Sequence, residues 1–137
     1  MKTGETTRVF VYGTLLRGQS NHRVLRGGLF VREARTRAEH TMFDLGAFPG
    51  VARGGATAIV GEIFDVDAGV LERLDMLEGH PRFYERQAIE LEDGERVSAY
   101  LLPLERYAEA PRIVSGSWRA YQAGSDEERD EDEDRVE

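Results

Sequence analysis

Apolar positions in this chain mostly fall in short runs or alternate with polar ones, and this pattern predicts a protein built mainly of strands. β-Branched and aromatic residues, which favour strands, concentrate in the same runs. The segment 29–45 alternates more loosely and is interpreted as one or two strands. A short helix or turn is predicted at 21–25, where Gly27-Gly28 stops it. The remaining predicted strands are residues 8–12, 57–66, 83–91 and 97–102.

One segment repeats its apolar residues at helical spacing instead. A helix is predicted over residues 68–77, with Asp67 as its N-cap, because a carboxylate there accepts a hydrogen bond from a free N–H of the first turn. Gly79 and Pro81 are predicted to end it. Its apolar stripe consists of Val70, Leu71, Leu74 and Leu77.

Turn signals separate these elements. Phe48-Pro49-Gly50 predicts a tight turn, and it is also a candidate wall of a pocket. Asp93-Gly94 predicts a hairpin between the last two strands. Many strands with one good helix between them favour an α+β fold, with a mostly antiparallel, barrel-like sheet and flanking helices.

Length and charge limit the organisation of the chain. Its 137 residues suffice for one domain, predicted over residues 1–122. The net charge is −8, and most of it lies in residues 125–137, which hold nine acids and two arginines. The segment 123–137 is therefore predicted to be an acidic, disordered tail. It is either a solvated segment or a docking site for a basic partner.

Composition also narrows the function classes. The chain contains no cysteine, which excludes disulfides and thiol nucleophiles. It has no apolar run long enough for a membrane span and no basic patch for nucleic acid, and residues 1–7 are too polar for a secretory signal. We therefore expect a cytoplasmic protein with no membrane or nucleic-acid partner. The three histidines lack metal-ligand spacing, so no metal site is expected.

The first candidate site follows the first strand, in the sequence Val9-Phe-Val-Tyr-Gly-Thr-Leu15. Gly13 is predicted to let the backbone leave the strand at torsion angles that most residues avoid, and it permits a close approach by a ligand. A turn of this kind can point several free backbone N–H groups at one place, which suits a carboxylate or an oxyanion. Alternatively, the segment only turns the chain. Tyr12 either lines the resulting pocket or packs in the core.

The second candidate is the acid at the end of the helix. Glu78 lies four residues after Leu74 and shares its inward face, whereas Glu72 falls on the opposite face. Loss of water should raise the pKa of Glu78 toward ~6–7, which suits a general acid–base. The alternative is a cap or a salt bridge with Arg82 or Arg86.

Three further residues lie close to this acid in the sequence. Tyr84 and Arg86 lie on one strand face, where they either contact a substrate, brace Glu78 or serve packing and surface pairing. Asp75 is predicted to lie at the rim, bonded to backbone or to an arginine.

Four segments together resemble the gamma-glutamyl cyclotransferase-like family, and they are most similar to its gamma-glutamylamine cyclotransferase branch. The resemblance spans residues 9–118. It rests on the segments Val9-Phe-Val-Tyr-Gly-Thr-Leu15 with its continuation to Leu25, Val60-Gly-Glu-Ile-Phe-Asp-Val66, Leu74-Asp-Met-Leu-Glu-Gly-His-Pro-Arg-Phe-Tyr-Glu-Arg86 and Ile113-Val-Ser-Gly-Ser-Trp118. The chain differs from the usual family pattern at Leu16-Arg17 and at Ser117.

The resemblance implies a small β-barrel with flanking helices and a cavity at one end. Backbone amides of Gly13, Thr14 and Leu15 would hold a γ-glutamyl group, and Glu78 would be the acid–base. The implied reaction converts a γ-glutamyl amine or amide to 5-oxoproline and a free amine without a cofactor. The alternative is a non-catalytic module of the same fold that binds or senses a small molecule. The leaving amine and the oligomeric state stay open.

Overall fold

Seven strands, two α-helices and two 3-10 helices make up residues 5–124, which the computed structural model describes. The predicted short helix at 21–25 is a 3-10 helix, and the 29–45 segment contains two strands. In chain order the strands are β1 (Thr7–Val11), β2 (Leu29–Arg35), β3 (His40–Asp44), β4 (Pro49–Arg53), β5 (Val60–Val66), β6 (Glu85–Glu90) and β7 (Arg96–Leu101). The helices are α1 (Ala68–Glu78) and α2 (Trp118–Gln122), and the 3-10 helices are His22–Leu25 and Leu104–Tyr107.

Five of these strands form one mixed sheet in the order β2-β5-β1-β7-β6. Its pairings are antiparallel except for the one between β1 and β7, which is parallel. β3 and β4 form a separate antiparallel pair. The α+β class and the mostly antiparallel pairing predicted from the sequence are confirmed.

The predicted barrel is the part of the fold that needs correction. In the described residues, the edges β2 and β6 meet at one isolated bridge between Thr36 and Leu91, just beyond the two strands. A closed barrel needs a continuous, staggered ladder around the whole sheet. The strand pairings therefore form an open mixed sheet whose edges touch at one end.

The proline predicted to lie in a turn instead begins a strand. Pro49 pairs with Asp44 as the first residue of β4, a position where a strand tolerates a residue without an N–H. The turn lies just before it, where Leu45 N–H donates to the Phe48 carbonyl at 3.0 Å and Gly46 has a φ of 106°. The Pro-Gly pair correctly indicated a break between strands, but the turn begins at Leu45, three residues before the predicted turn.

Helix α1 forms as the sequence predicts and runs one residue further. The Asp67 carboxylate accepts from Val70 N–H at 2.9 Å, and Gly79 ends the helix with a φ of 68°. Val70 and Leu74 are buried against the sheet, whereas Leu77 is 42% exposed. Each large side chain buried in this way contributes on the order of 1.5–3 kcal/mol. The buried face fixes the helix so that its last turn lies at the end of β1.

We expect Gly69→Ala to stabilise the protein by about 0.5–1 kcal/mol, because glycine within a helix costs more backbone entropy than alanine. Gly69 is exposed in α1, and a Cβ there would lie 3.5 Å from Asp67 Oδ1, an ordinary contact. Chemical denaturation measures the change. An unchanged or lower free energy of unfolding would contradict this account of the helix.

Much of the predicted acidic tail lies outside the described residues, since residues 125–137 are not among them. The division at residue 122 stays a prediction. Among the described helices, none has the length and apolar character that crossing a membrane requires.

Candidate active site

A cavity of about 180 Å³ lies where β1 ends, beside the last turn of α1. It brings together all but one of the predicted site residues, although they come from distant parts of the chain. Arg86 is the exception and lies outside the lining. The predicted residues in the lining are Tyr12, Gly13, Thr14, Leu15, Glu78 and Tyr84. The others are Phe10, Val11, Asn21, Phe48, Pro49, Leu77, Phe83 and Tyr100.

The turn after β1 lines this cavity and contains consecutive unused donors. Within residues 5–124, the N–H groups of Gly13, Thr14 and Leu15 donate to no protein acceptor. The turn itself is held by Leu16 N–H, which donates to the Gly13 carbonyl at 3.1 Å. Asn21 fixes it further through Nδ2, which donates to Thr14 Oγ1 at 3.0 Å. Donors fixed in this way suit an anion or a developing oxyanion.

A buried carboxylate secures the far side of the same turn. Glu62 on β5 is 1% exposed, and its Oε1 accepts from Arg17 N–H at 3.0 Å. Its Oε2 pairs with Arg17 Nε at 3.2 Å and with Arg119 Nη1 at 3.3 Å. Burial of an acid is tolerated here because two cations and an amide surround it. Sequence reasoning assigned Glu62 no role, since its arginine partners are 45 and 57 residues away.

Among the described residues that line the cavity, Glu78 is the one with a charged side chain. Burial raises the pKa of its carboxyl from 4.5 to about 7. Within the described part of the chain, its carboxylate makes no ion pair or hydrogen bond that would offset this desolvation. The salt bridge considered from the sequence forms elsewhere, because Arg86 pairs with Asp75. A half-protonated carboxyl near neutral pH can both take and return a proton.

Arg86 binds Asp75 through two parallel hydrogen bonds, Nε to Oδ1 at 3.0 Å and Nη2 to Oδ2 at 3.1 Å. The predicted bond between Asp75 and an arginine is confirmed, whereas its place at the rim stays a prediction. The Tyr100 hydroxyl also donates to Asp75 Oδ1, at 2.7 Å. Direct substrate contact by Arg86 therefore has no support in this arrangement, and its link to the cavity runs through Tyr100.

Tyr12 and Tyr84 both line the cavity, and each hydroxyl already donates its proton to a backbone carbonyl. Tyr12 donates to the Tyr100 carbonyl at 2.6 Å, and Tyr84 donates to the Pro49 carbonyl at 2.6 Å. Burial raises the pKa of both hydroxyls, and the nearby Glu78 carboxylate raises them further. Both therefore stay protonated and tie the cavity wall to β7 and β4.

Sequence reasoning missed two polar residues of this cavity, Asn21 and Tyr100. The sequence indicates Asn21 only weakly, since a short helix that begins just after the Gly-Thr turn has its first residues near that turn. No feature of the sequence indicates Tyr100, because only the parallel pairing of β7 with β1 brings it to the site. The pocket wall considered at Phe48-Pro49-Gly50 is in place, since Phe48 and Pro49 line the cavity.

The described residues contain no group of three or more His, Asp or Glu side chains that converges as metal ligands. The cavity offers instead one acid with a raised pKa, a row of N–H donors and aromatic walls. This combination fits a small molecule that carries an anionic group and exchanges protons.

Comparison with known proteins points the same way. The gamma-glutamyl cyclotransferase, AIG2-like family matches residues 9–120. A Vibrio cholerae protein of this kind is 42% identical over 86 residues, which are 63% of this chain and 74% of that protein. Human gamma-glutamylaminecyclotransferase is 38% identical over 97 residues, which are 61% of each chain.

The fold also matches solved structures. A crystal structure of a uropathogenic Escherichia coli protein superposes with a TM-score of 0.77 at 31% identity, covering 87% of this chain and 97% of that one. A mouse AIG2-like protein superposes with a TM-score of 0.65 at 28% identity, over 79% of this chain and 86% of that one. The family match spans both the Gly13–Leu15 turn and Glu78, so this chain belongs to the gamma-glutamyl cyclotransferase, AIG2-like family.

Proposed function

We propose that this protein is a cyclotransferase that converts a γ-glutamyl amine or amide to 5-oxoproline and a free amine. The observation that carries the proposal is a single cavity that holds both the unpaired N–H groups of the Gly13–Leu15 turn and the desolvated acid Glu78. A γ-glutamyl group has the matching parts, namely an α-carboxylate, an α-ammonium and a γ-carbonyl.

In this proposal the turn binds the substrate anion. The N–H groups of Gly13, Thr14 and Leu15 hold the α-carboxylate or the oxyanion that forms on the γ-carbonyl. In studied enzymes, removing one oxyanion donor costs about 2.7–4 kcal/mol. Holding the substrate folded, with its own amine against its γ-carbonyl, supplies much of the remaining acceleration, because the attack is intramolecular.

Glu78 moves the protons. Its carboxylate takes one proton from the α-ammonium, and the neutral amine attacks the γ-carbonyl to form the ring C–N bond. The ring nitrogen then gives up a second proton, and the original C–N bond breaks as the leaving nitrogen is protonated. The two protons lost by the ring nitrogen end on the departing amine, which leaves as an ammonium ion, so no net proton is released.

The charge of the cavity favours an amine as the leaving group. Among the described residues that line it, none is a lysine or an arginine, and aromatic side chains form much of its wall. A γ-glutamyl amino acid brings a second carboxylate, which would find no cationic partner there. A simple amine or a side-chain amine brings none. We therefore expect higher kcat/KM for γ-glutamyl amines than for γ-glutamyl amino acids.

The experiment is 5-oxoproline release from a substrate panel. The panel contains γ-glutamyl alkylamines, a γ-glutamyl polyamine, ε-(γ-glutamyl)lysine and several γ-glutamyl amino acids. Release from the amines supports the proposal. Failure of every member to react, together with thermal stabilisation by the same compounds, would refute it in favour of a non-catalytic binding module.

The rate should rise with pH through the pKa of Glu78. Because the carboxylate is the base that starts the reaction and its pKa is about 7, we expect kcat/KM to increase between pH 6 and pH 8 in proportion to the ionised fraction. The pKa of Asp75 is lowered and the pKa values of the three cavity tyrosines are raised, so none of these groups titrates between pH 6 and pH 8. Initial rates in buffers of constant ionic strength measure the profile. A flat profile would contradict the role of Glu78.

A further inference from the structure

Resting on the proposed function, we propose that the Tyr100 phenolic oxygen accepts a hydrogen bond from the substrate's α-ammonium and aligns that nitrogen between Glu78 and the γ-carbonyl. Tyr100 lies on β7 and is 3% exposed, and it lines the same cavity as Glu78. The Asp75–Arg86 pair acts behind it as a positioning pair.

The direction of the Tyr100 hydrogen bond follows from its partner. The two hydrogen bonds from Arg86 and the one from Tyr100 lower the pKa of the Asp75 carboxyl and outweigh the opposing effect of burial. Asp75 is therefore an anion, and a carboxylate can only accept. Tyr100 must donate its proton to Asp75 Oδ1, at 2.7 Å.

Because its proton is donated to Asp75, the Tyr100 oxygen can act only as a hydrogen-bond acceptor toward a ligand. A phenol has one proton and two lone pairs, so with the proton held by Asp75 only the lone pairs are left. Tyr84 is in the same state, since its proton is held by the Pro49 carbonyl. The Tyr12 oxygen also faces the Val51 backbone, which lowers the pKa of its hydroxyl, so Tyr12 is less available to a ligand.

The oxygens near Glu78 therefore form an environment that receives hydrogen bonds and gives none. Glu78 lies within electrostatic range of the Tyr100 and Tyr84 hydroxyls, whose pKa values its charge raises. Neither hydroxyl can donate to the Glu78 carboxylate, which is consistent with its lack of a hydrogen-bond partner. An ammonium group has three donors and a positive charge, and it complements such a group of acceptors.

The contact also serves the proposed chemistry. One N–H of the α-ammonium points at Glu78 and is transferred, while a second stays hydrogen-bonded to Tyr100. The lone pair formed by the transfer lies along the former N–H bond, toward Glu78, so the nitrogen must invert or turn to present it to the γ-carbonyl. The hydrogen bond to Tyr100 keeps the neutral nitrogen beside that carbonyl during this step.

The test compares two ligands that differ only in the α-amino group. One is a γ-glutamyl alkylamine from the panel, and the other is the corresponding N-alkyl glutaramate, which lacks the amine and serves as a competitive inhibitor. Tyr100→Phe keeps the ring and removes the oxygen. We expect kcat/KM for the γ-glutamyl compound to fall on the order of 10- to 100-fold, the worth of a hydrogen bond to a charged group. The Ki of the glutaramate should stay within about 2-fold of the wild-type value.

Tyr121→Phe is the matched control. It also removes a tyrosine hydroxyl that donates to an aspartate, Asp44 Oδ2 at 2.6 Å, and Tyr121 is not in the cavity lining. Its kinetics should match those of the wild type, and thermal melts of both variants check that they are folded.

The outcomes separate the two proposals. If the wild type releases 5-oxoproline and Tyr100→Phe either retains full kcat/KM or weakens both ligands equally, the ammonium contact is wrong while the proposed function stands. If the wild type releases no 5-oxoproline from any compound, the proposed function fails and this contact fails with it. Selective loss for the aminated ligand supports the contact.

Discussion

Replacing Glu78 by glutamine should reduce 5-oxoproline release by roughly 10²–10⁴-fold, the usual contribution of a positioned general acid–base. Glutamine keeps the size and shape of the side chain but cannot take a proton from the α-ammonium. The substrate should still bind, because the N–H groups of the Gly13–Leu15 turn are unchanged. Steady-state assays on the best γ-glutamyl amine, together with calorimetric binding to the variant, measure both effects.

Glu72→Gln is the control for this substitution. Glu72 lies on the same helix but on its exposed side, outside the cavity lining. The same chemical change there should leave the rate within about 2-fold of the wild type, as is usual for surface substitutions. A Glu78→Gln variant with more than a tenth of the wild-type rate would show that another group moves the protons.

The same variant should reveal the cost of keeping Glu78 in the cavity. A carboxyl whose pKa is raised on folding favours the protonated state, so it contributes stability at low pH that is lost as pH rises through about 7. Glu78→Gln should therefore melt at a higher temperature than the wild type at pH 8. The difference should shrink as pH falls toward 4.5, and a difference independent of pH would contradict the raised pKa.

The helix that carries Glu78 could be predicted from the sequence because all its signals are local. Asp67 caps it, Leu74 and its neighbours repeat at helical spacing, and Gly79 ends it. The inward placement of Glu78 follows from the same periodicity. The Gly-Thr turn was recognisable for a similar reason, since glycine after a buried strand marks a backbone that leaves the sheet.

The rest of the site depends on contacts between distant residues, which periodicity does not encode. Tyr100 reaches the cavity only because β7 lies parallel to β1, and no local pattern specifies that pairing. Sequence reasoning left Arg86 open between substrate contact, bracing of Glu78 and packing or surface pairing. Arg86 pairs with Asp75, because the two oxygens of that carboxylate match its guanidinium. The barrel was overpredicted because strand count alone does not say whether the edges of a sheet join.

Gly13→Ala should lower kcat/KM by about 100-fold, the loss that a misplacement of about 1 Å can cause in an active site. A Cβ at this position would lie 2.6 Å from Pro49 Cγ and 2.8 Å from Pro49 Cδ, closer than real side chains approach. The Pro49 carbonyl accepts the Tyr84 hydroxyl, so a shift of Pro49 disturbs the opposite wall together with the donor turn.

The cause of this loss is crowding rather than backbone strain, because Gly13 is not among the glycines with positive φ. The prediction that Gly13 adopts torsion angles avoided by most residues was therefore wrong, and what requires a glycine here is the close approach of Pro49. The overpacking should also cost on the order of 1–3 kcal/mol of stability. Gly69→Ala makes the same chemical change at an open position and should keep full activity while gaining stability. Wild-type kinetics in Gly13→Ala would mean that the turn and Pro49 can separate without affecting the substrate. In that case the close packing of the Gly13–Leu15 turn against Pro49 would not determine the geometry of the site.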